Sequence, residues 1–299
     1  MSVMAPILSR WLASMRRRAW RWPALALATF GVLAGCAGLD TQQRKWIFQA
    51  AALPAAVDAT ASNEPTVPDM EDVWIEHASA ESGRPIRLHA LWHENADADA
   101  PVLLYLHGAR RDVEGSVFRI RQMGALGFSV LAIDYRGFGK STPELPSEDT
   151  AYEDARAAWT WLAQRYPDRP RYVFGHSLGG AIAIDLASHV DDEKGVIVEG
   201  TFTSIPDVAS SMKWGWLPIG PLITQRFDSI HKVAKVHAPL LVVHGANDSL
   251  IDASLGRRLY ESATGPKRFV LVEGGSHHST MAVGQAQYRE ALAQLFRLK

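Results

Sequence analysis

The 299-residue chain holds one cysteine, Cys36, and its eleven histidines form neither an H-E-x-x-H pattern nor a Cys/His cluster at zinc spacing. A metal site therefore has no support in the sequence. The formal net charge is only −1 and no basic stripe is present, which sets nucleic acid aside as a partner. There is no internal repeat and no low-complexity tract. The apolar stretch near the N-terminus, Pro23 to Ala34, is too short to span a membrane as a helix. What remains, 47% hydrophobic and 21% charged, suffices for one large α/β domain with a substantial core.

The first 36 residues differ from the rest. Arg10, Arg16, Arg17, Arg18 and Arg21 precede the apolar stretch with no acidic residue among them, and Leu33-Ala34-Gly35-Cys36 follows. That order of basic, apolar and small residues is the order of a signal peptide. Its end resembles the lipobox of bacterial lipoproteins, in which cleavage before the cysteine is followed by acylation of its sulfur and amino group. The plainer alternatives are an ordinary signal peptide with a chance cysteine, or an uncleaved anchor. Against chance stands the rarity of a lone structural thiol in an exported protein. The reading is a signal peptide over 1–35, lipidation at Cys36 and a tether over 36–70. Export by either the general or the twin-arginine route is open. Removing five arginines from 31 basic residues leaves 26 against 32 acidic ones, a net of −6. A body of that charge does not cling to anionic lipid, so the anchor would have to hold it. Ala37 stands where an inner-membrane retention aspartate is common, so the resemblance implies the outer membrane, facing the periplasm.

Between 37 and 70 the chain is polar and alanine-rich, with Pro54, Pro65 and Pro68. Only Trp46-Ile47-Phe48 stands out, as a group that packs on the domain or lies at the membrane surface. Alternation then begins in EDVWIEH (71–77) and IRLHALWH (86–93), parted by Ser82-Gly83-Arg84-Pro85, which predicts a hairpin. PVLLYLHG (101–108) is an unbroken apolar run of the kind buried parallel strands have. Helices are expected near 115–126 and 150–165, and a final one near 280–297. Strands are expected at FSVLAID (128–134), RYVFG (171–175), GVIVEG (195–200), PLLVVHG (239–245) and RFVLVEGG (268–275). This alternation implies a mostly parallel sheet covered on both faces. Functional residues then collect at the carboxyl ends of the strands.

YVFGHSLGG (172–180) places Ser177 between glycines where a strand stops. G-x-S-x-G is the sequence form of a nucleophile elbow, a sharp strand-to-helix turn that lifts the seryl oxygen clear of the backbone. Asp248, in HGANDSLI, and His277, in EGGSHHST, each follow a later strand directly. Each alone has a dull explanation: a turn serine, a helix-capping aspartate, a loop histidine. Together they fall in the order Ser, Asp, His at three strand ends, which is the order of a catalytic triad in such a sheet. His277 would take the seryl proton and return it to the leaving group, with Asp248 orienting the ring. His278 is the reserve for the base. Asp252 is the reserve for the acid, though it suits a helix start better. The backbone N–H groups of Leu178 and Ala109 are the expected oxyanion donors.

The run YLHG, GFSVLAIDYRGFGKS, YEDARAAWTWL, VFGHSLGG, HGANDSLI and GGSHH resembles the serine-hydrolase branch of the α/β-hydrolase superfamily. It is most like the bud-emergence-type subfamily and the related depalmitoylating enzymes. The resemblance covers roughly 71–299 and implies an α/β-hydrolase fold with an eight-stranded, mostly parallel sheet. It also implies a short cap over 203–236, where Trp214, Trp216, Leu217, Pro218, Ile219 and Leu222 lie, unless that stretch merely buries its own apolar residues. Relatives often carry Asn after the His-Gly of the oxyanion loop; here Ala109 is followed by Arg110 and Arg111. Tyr135-Arg136-Gly137-Phe138-Gly139 reads as scaffold. The expectation is a monomeric, lipid-anchored, cofactor-free serine hydrolase of carboxylic esters or thioesters, acting on small-molecule or lipid substrates. A peptidase or amidase on the same residues is the alternative enzyme, and a non-catalytic binding protein of the same fold is the alternative class. Dehalogenases and epoxide hydrolases use an aspartate where Ser177 stands.

Overall fold

The computed structural model describes residues 37–49, 66–212 and 215–298. The signal peptide, Cys36, much of the tether and Trp214 of the cap lie outside the described residues. The chain divides into two compact units, 1–43 and 44–299. Of the smaller, residues 37–43 are described, and they are helical.

The larger unit is built on one eight-stranded sheet: β1 (Glu71–Ala78), β2 (Pro85–His93), β3 (Val102–Leu106), β4 (Ser129–Ile133), β5 (Arg171–His176), β6 (Glu193–Glu199), β7 (Leu240–Gly245) and β8 (Lys267–Val272). Their order is β1-β2-β4-β3-β5-β6-β7-β8. β2 pairs antiparallel with both β1 and β4, and all other pairings are parallel. The apolar runs become the central strands because side chains there alternate into two cores. Leu104, Leu106, Val173, Val196, Val198 and Val242 fill one face. Leu103, Tyr105, Phe174, Ile197, Leu241 and Val243 fill the other. A strand buried on both faces has no use for polar alternation.

Around the sheet lie α1 (44–48), α2 (Val117–Ala125), α3 (Glu148–Arg165), α4 (Leu178–Ala187), α5 (Ile205–Ser211), α6 (Ala253–Ser262), α7 (Thr280–Val283) and α8 (Gln285–Phe296). α3 starts where Ser147 and Thr150 close a reciprocal cap. The single helix expected over 280–297 is two, because the chain turns at Gly284, where a Cβ would crowd Val272.

Two stretches are open to more than one reading in the sequence. The stretch read as a tether is partly built into the domain: the Phe48 ring is fully buried, 6.4 Å from that of Phe138 and 5.8 Å from that of Phe227. Arg44 Nε donates to the Pro146 carbonyl at 2.8 Å, and Val67 and Met70 are buried. One aromatic at the right place outweighs the polar composition around it. Within 203–236, Phe227, Val233 and Val236 are buried, whereas Met212, Trp216, Leu217, Ile219 and Leu222 are exposed.

Candidate active site

β5 ends at His176, α4 begins at Leu178, and Ser177 is the turn between them, with φ 55° and ψ −120°. That backbone state is costly for a residue with a side chain and is kept only where the surroundings impose it. The surroundings are the glycines. A Cβ at Gly175 would overlap the carbonyl of Gly179, and one at Gly179 would overlap the carbonyl of Leu106. A Cβ at Gly180 would strike Thr201. Ser177 is then held through its main chain: its N–H donates to the Glu199 carbonyl at 2.9 Å, and its carbonyl accepts from Thr201 Oγ1 at 2.9 Å.

The loops after β7 and β8 meet beside it. Asn247 N–H donates to the Gly275 carbonyl at 2.8 Å, and Ala246 N–H to that of Val272 at 2.9 Å. These bonds bring Asp248 under His277, whose Nδ1 lies 2.8 Å from Asp248 Oδ2 and whose Nε2 lies 3.0 Å from Ser177 Oγ. Gly200 passes beside both at φ 57°, a backbone state that glycine adopts without strain. Asp248 Oδ1 accepts from the N–H groups of Leu250 and Ile251, each at 2.9 Å. Burial alone would raise its pKa, but the bonds to His244, His277 and Ile251 outweigh burial and hold it well below the carboxylate range. Asp248 is thus an anion with both oxygens occupied, which keeps one ring orientation at His277.

The reserve candidates fall elsewhere. Asp252 caps α6 by accepting from Ser254 N–H at 2.8 Å. His278 lines the cleft, but its ring sits edge-on to that of His277, with centroids 5.1 Å apart.

Gly108 approaches Ser177 so closely that a Cβ on it would lie 3.1 Å from Ser177 Cβ. Ala109 therefore borders Ser177, and Leu178, as the first residue of α4, has an N–H with no acceptor within its helix. Arg110, at φ 75°, donates its N–H to the Phe48 carbonyl at 3.0 Å, which fixes the loop from the outside. From inside, Tyr135 Oη donates to the His107 carbonyl at 3.2 Å, and Asp134 Oδ1 accepts from Val113 N–H at 2.8 Å.

Beneath the site lies a charged layer that the sequence reading missed. Glu199 is fully buried; its Oε1 accepts from Arg119 Nε at 3.2 Å and Nη2 at 3.1 Å, and its Oε2 from Tyr288. Arg119 Nη2 also donates to the His278 carbonyl at 3.3 Å, and His176 Nε2 lies 3.0 Å from the His277 carbonyl. Burial, reinforced by the charge of Arg119, pushes the His176 imidazole far down, so it is a neutral donor to that carbonyl. The signal was present: GVIVEG puts a carboxylate at the end of a strand otherwise wholly apolar, and such a charge requires a partner.

A cleft of about 370 Å³ opens over Ser177, walled by Phe202, Val208, Met212, Leu250, Trp46 and Ile47. Away from it, His77, Glu153 and Asp154 converge as metal ligands do. The cation there is Arg136, whose Nη2 lies 2.6 Å from both carboxylates.

Known proteins resemble the chain in sequence and in fold. A profile of the family described as Hydrolase_4, serine aminopeptidase S33, matches residues 97–227. An uncharacterized protein of Mycobacterium tuberculosis is 33% identical over 242 residues, covering 80% of this chain and 81% of that one. The lysophosphatidylserine lipase ABHD12 of Danio rerio is 32% identical over 197 residues, 60% of this chain; that match spans only 51% of the lipase. Among solved structures, the esterase Pf2001 of Pyrococcus furiosus superposes with a TM-score of 0.64 at 20% identity, covering 81% of this chain and 96% of its own. A puromycin-hydrolyzing peptidase of Mycobacterium tuberculosis gives 0.57 at 18%, with 79% and 40% covered. These structural likenesses speak for the fold alone. With a strand-turn-helix at Ser177 in an eight-stranded sheet of this order, the chain has the α/β-hydrolase fold, and it belongs to one family with the mycobacterial protein matched over four-fifths of its length.

Proposed function

We propose that the protein is a serine hydrolase that cleaves carboxylic esters through an acyl-enzyme. The observation that carries this is the unbroken chain from Ser177 Oγ through His277 to Asp248, at 3.0 and 2.8 Å, on a strained serine. Ser177 Oγ attacks the ester carbonyl as its proton passes to His277 Nε2. The carbonyl oxygen, now negative, takes the N–H groups of Ala109 and Leu178. Collapse expels the alcohol, which leaves with the proton from His277. Water then attacks the acyl-enzyme, giving its proton to His277, and the carboxylic acid departs as Ser177 regains its hydrogen. Thioesters fit the same steps, with a thiol leaving.

A peptidase role has less support. An aminopeptidase must hold an ammonium group, yet among the described residues no carboxylate lines the cleft, while three arginines do. The lipase among the sequence relatives favours esters, against the aminopeptidase in the description of the family profile. The test is hydrolysis of a panel of acyl esters graded by chain length, with fluorophosphonate labelling. Ser177→Ala should lose both turnover and label while melting like the wild type; retained turnover would refute the proposal.

We also propose that the mature chain begins at Cys36 and is held by its acyl groups to the bacterial envelope, on the outer membrane's periplasmic side. Among the described residues no helix is long and apolar enough to cross a membrane. Mass spectrometry of the mature N-terminus decides it: an unmodified Cys36, or a chain still starting at Met1, would be fatal.

A further inference from the structure

The cleft beside Ser177 has a sign. Arg110, Arg111 and Arg119 line it, and no aspartate or glutamate does so among the described residues. Their roles differ. Arg119 is neutralised by Glu199, 3.1 Å away and out of solvent. Arg110 is an anchor: its N–H goes to Phe48 and its Nε to Gln49 Oε1 at 2.6 Å. Arg111 has neither ion pair nor hydrogen bond among the described residues. Its stem runs past Gly115, where a side chain would have to share the space taken by Arg111 Cβ, Cγ and Cδ. The neighbouring Asp112 makes no ion pair with it: that carboxylate accepts from Gly115 N–H at 2.9 Å and lies outside the cleft lining.

A charge left uncompensated beside an ester-cleaving serine, opposite an apolar wall, selects among substrates. Building on the ester-hydrolase reading, we propose that Arg111 is a specificity-determining residue, and that the preferred substrate is an acyl ester bearing an anionic group, phosphate or carboxylate, close to the scissile bond. The acyl chain lies along Phe202, Val208, Met212 and Leu250, and the anion faces the guanidinium, which offers it paired donors. The wider field agrees. Burial first, then the neighbouring His277 ring and the guanidinium groups of Arg111 and Arg119, push the His278 imidazole down, which leaves Arg111 to supply the positive charge that meets the anion.

The experiment compares kcat/KM for the octanoate monoesters of glycerol, glycerol 3-phosphate and glyceric acid at low ionic strength. A preference of about tenfold or more for one or both anionic esters over the neutral one is expected. Which of the two is preferred identifies the anion. The preference should shrink in molar salt. It should fall below about twofold in Arg111→Gln, recover in part in Arg111→Lys and reverse in Arg111→Glu. Arg111 is exposed, so these variants should fold, and their thermal melts provide the check. If wild type cleaves the neutral ester as well as the charged ones, or if Arg111→Gln keeps the full preference, this proposal falls while the hydrolase reading stands. If no ester is cleaved and Ser177 resists the fluorophosphonate, both fall.

Discussion

Asp134 holds His89 at 3.2 Å, both side chains about 1% exposed, and passes its other carboxylate oxygen to the loop that carries Ala109. His89 reaches Asp72 on its far side at 2.6 Å. Burial would lower the pKa of His89, but the bonds to Asp134 and Asp72 prevail and raise it above 6.5. The folded protein therefore grips this proton more tightly than the unfolded chain does. The stability so gained is complete below the ordinary histidine pKa and is lost as pH rises through the elevated one. Thermal melts across neutral to alkaline pH should show that decline in the wild type and a flatter curve in His89→Gln. Equal slopes would mean that the pair does not bind a proton. In Asp134→Asn the Val113 bond weakens and the oxyanion loop loosens, so kcat should drop about tenfold to a hundredfold with little change in KM.

His277 and His278 make a sharper comparison than either alone. His277→Ala should cost on the order of a thousandfold to a millionfold in kcat, close to the loss in Ser177→Ala, because triad members act as a unit. His278→Ala should retain most activity. Turnover that survives in His277→Ala would remove His277 from its role.

Ser177→Gly should be inactive yet more stable than the wild type. Glycine adopts φ 55° with ψ −120° without the Cβ penalty, and relief of about 1–3 kcal/mol exceeds its extra unfolded-state entropy. A rise of a few degrees in Tm is expected. A fall would show that the elbow is not strained.

Glu193 opens β6 with a buried carboxyl whose Oε2 has no partner among the described residues. Burial, with help from Asp192 and Asp191, pushes its pKa up from 4.5 to about 7. Folding favours the protonated form, so stability present below pH 4.5 is lost as pH climbs toward 7. Glu193→Gln should therefore gain up to about 3 kcal/mol above that range and nothing below it. Urea denaturation at acid and neutral pH would measure the difference.

The strands were legible because unbroken apolar runs between glycine turns have few other uses. Ser177, Asp248 and His277 were legible because strand ends in such a sheet fall along one edge, so sequence order stood in for space. Phe48 was legible only as one of two alternatives, packing on the domain or lying at the membrane surface: one aromatic in an alanine-rich stretch carries no period, and its burial depends on Phe138 and Phe227, far along the chain. Arg119, Glu199 and Asp134 escaped for a related reason. Their meaning lies in pairs of residues well separated in sequence, and a lone charge in an apolar segment announces a partner without naming it. Gly139 belongs here too: only glycine allows the chain to pass Asp134, so a motif read as scaffold turns out to brace the oxyanion loop.

Phe48 has a mechanical meaning as well. Its ring is plugged into the core and its carbonyl is bonded to Arg110, one residue beyond Ala109. Any pull on the chain from the N-terminal side is taken up by Arg44 and Phe48 before it can reach β1. If the protein hangs from a membrane by Cys36, the leash is stitched to the very loop that must hold still while an oxyanion forms. Slack or tension in that leash then bears on turnover, and a chain trimmed to start at β1 would lose a wall of its cleft as well as its anchorage.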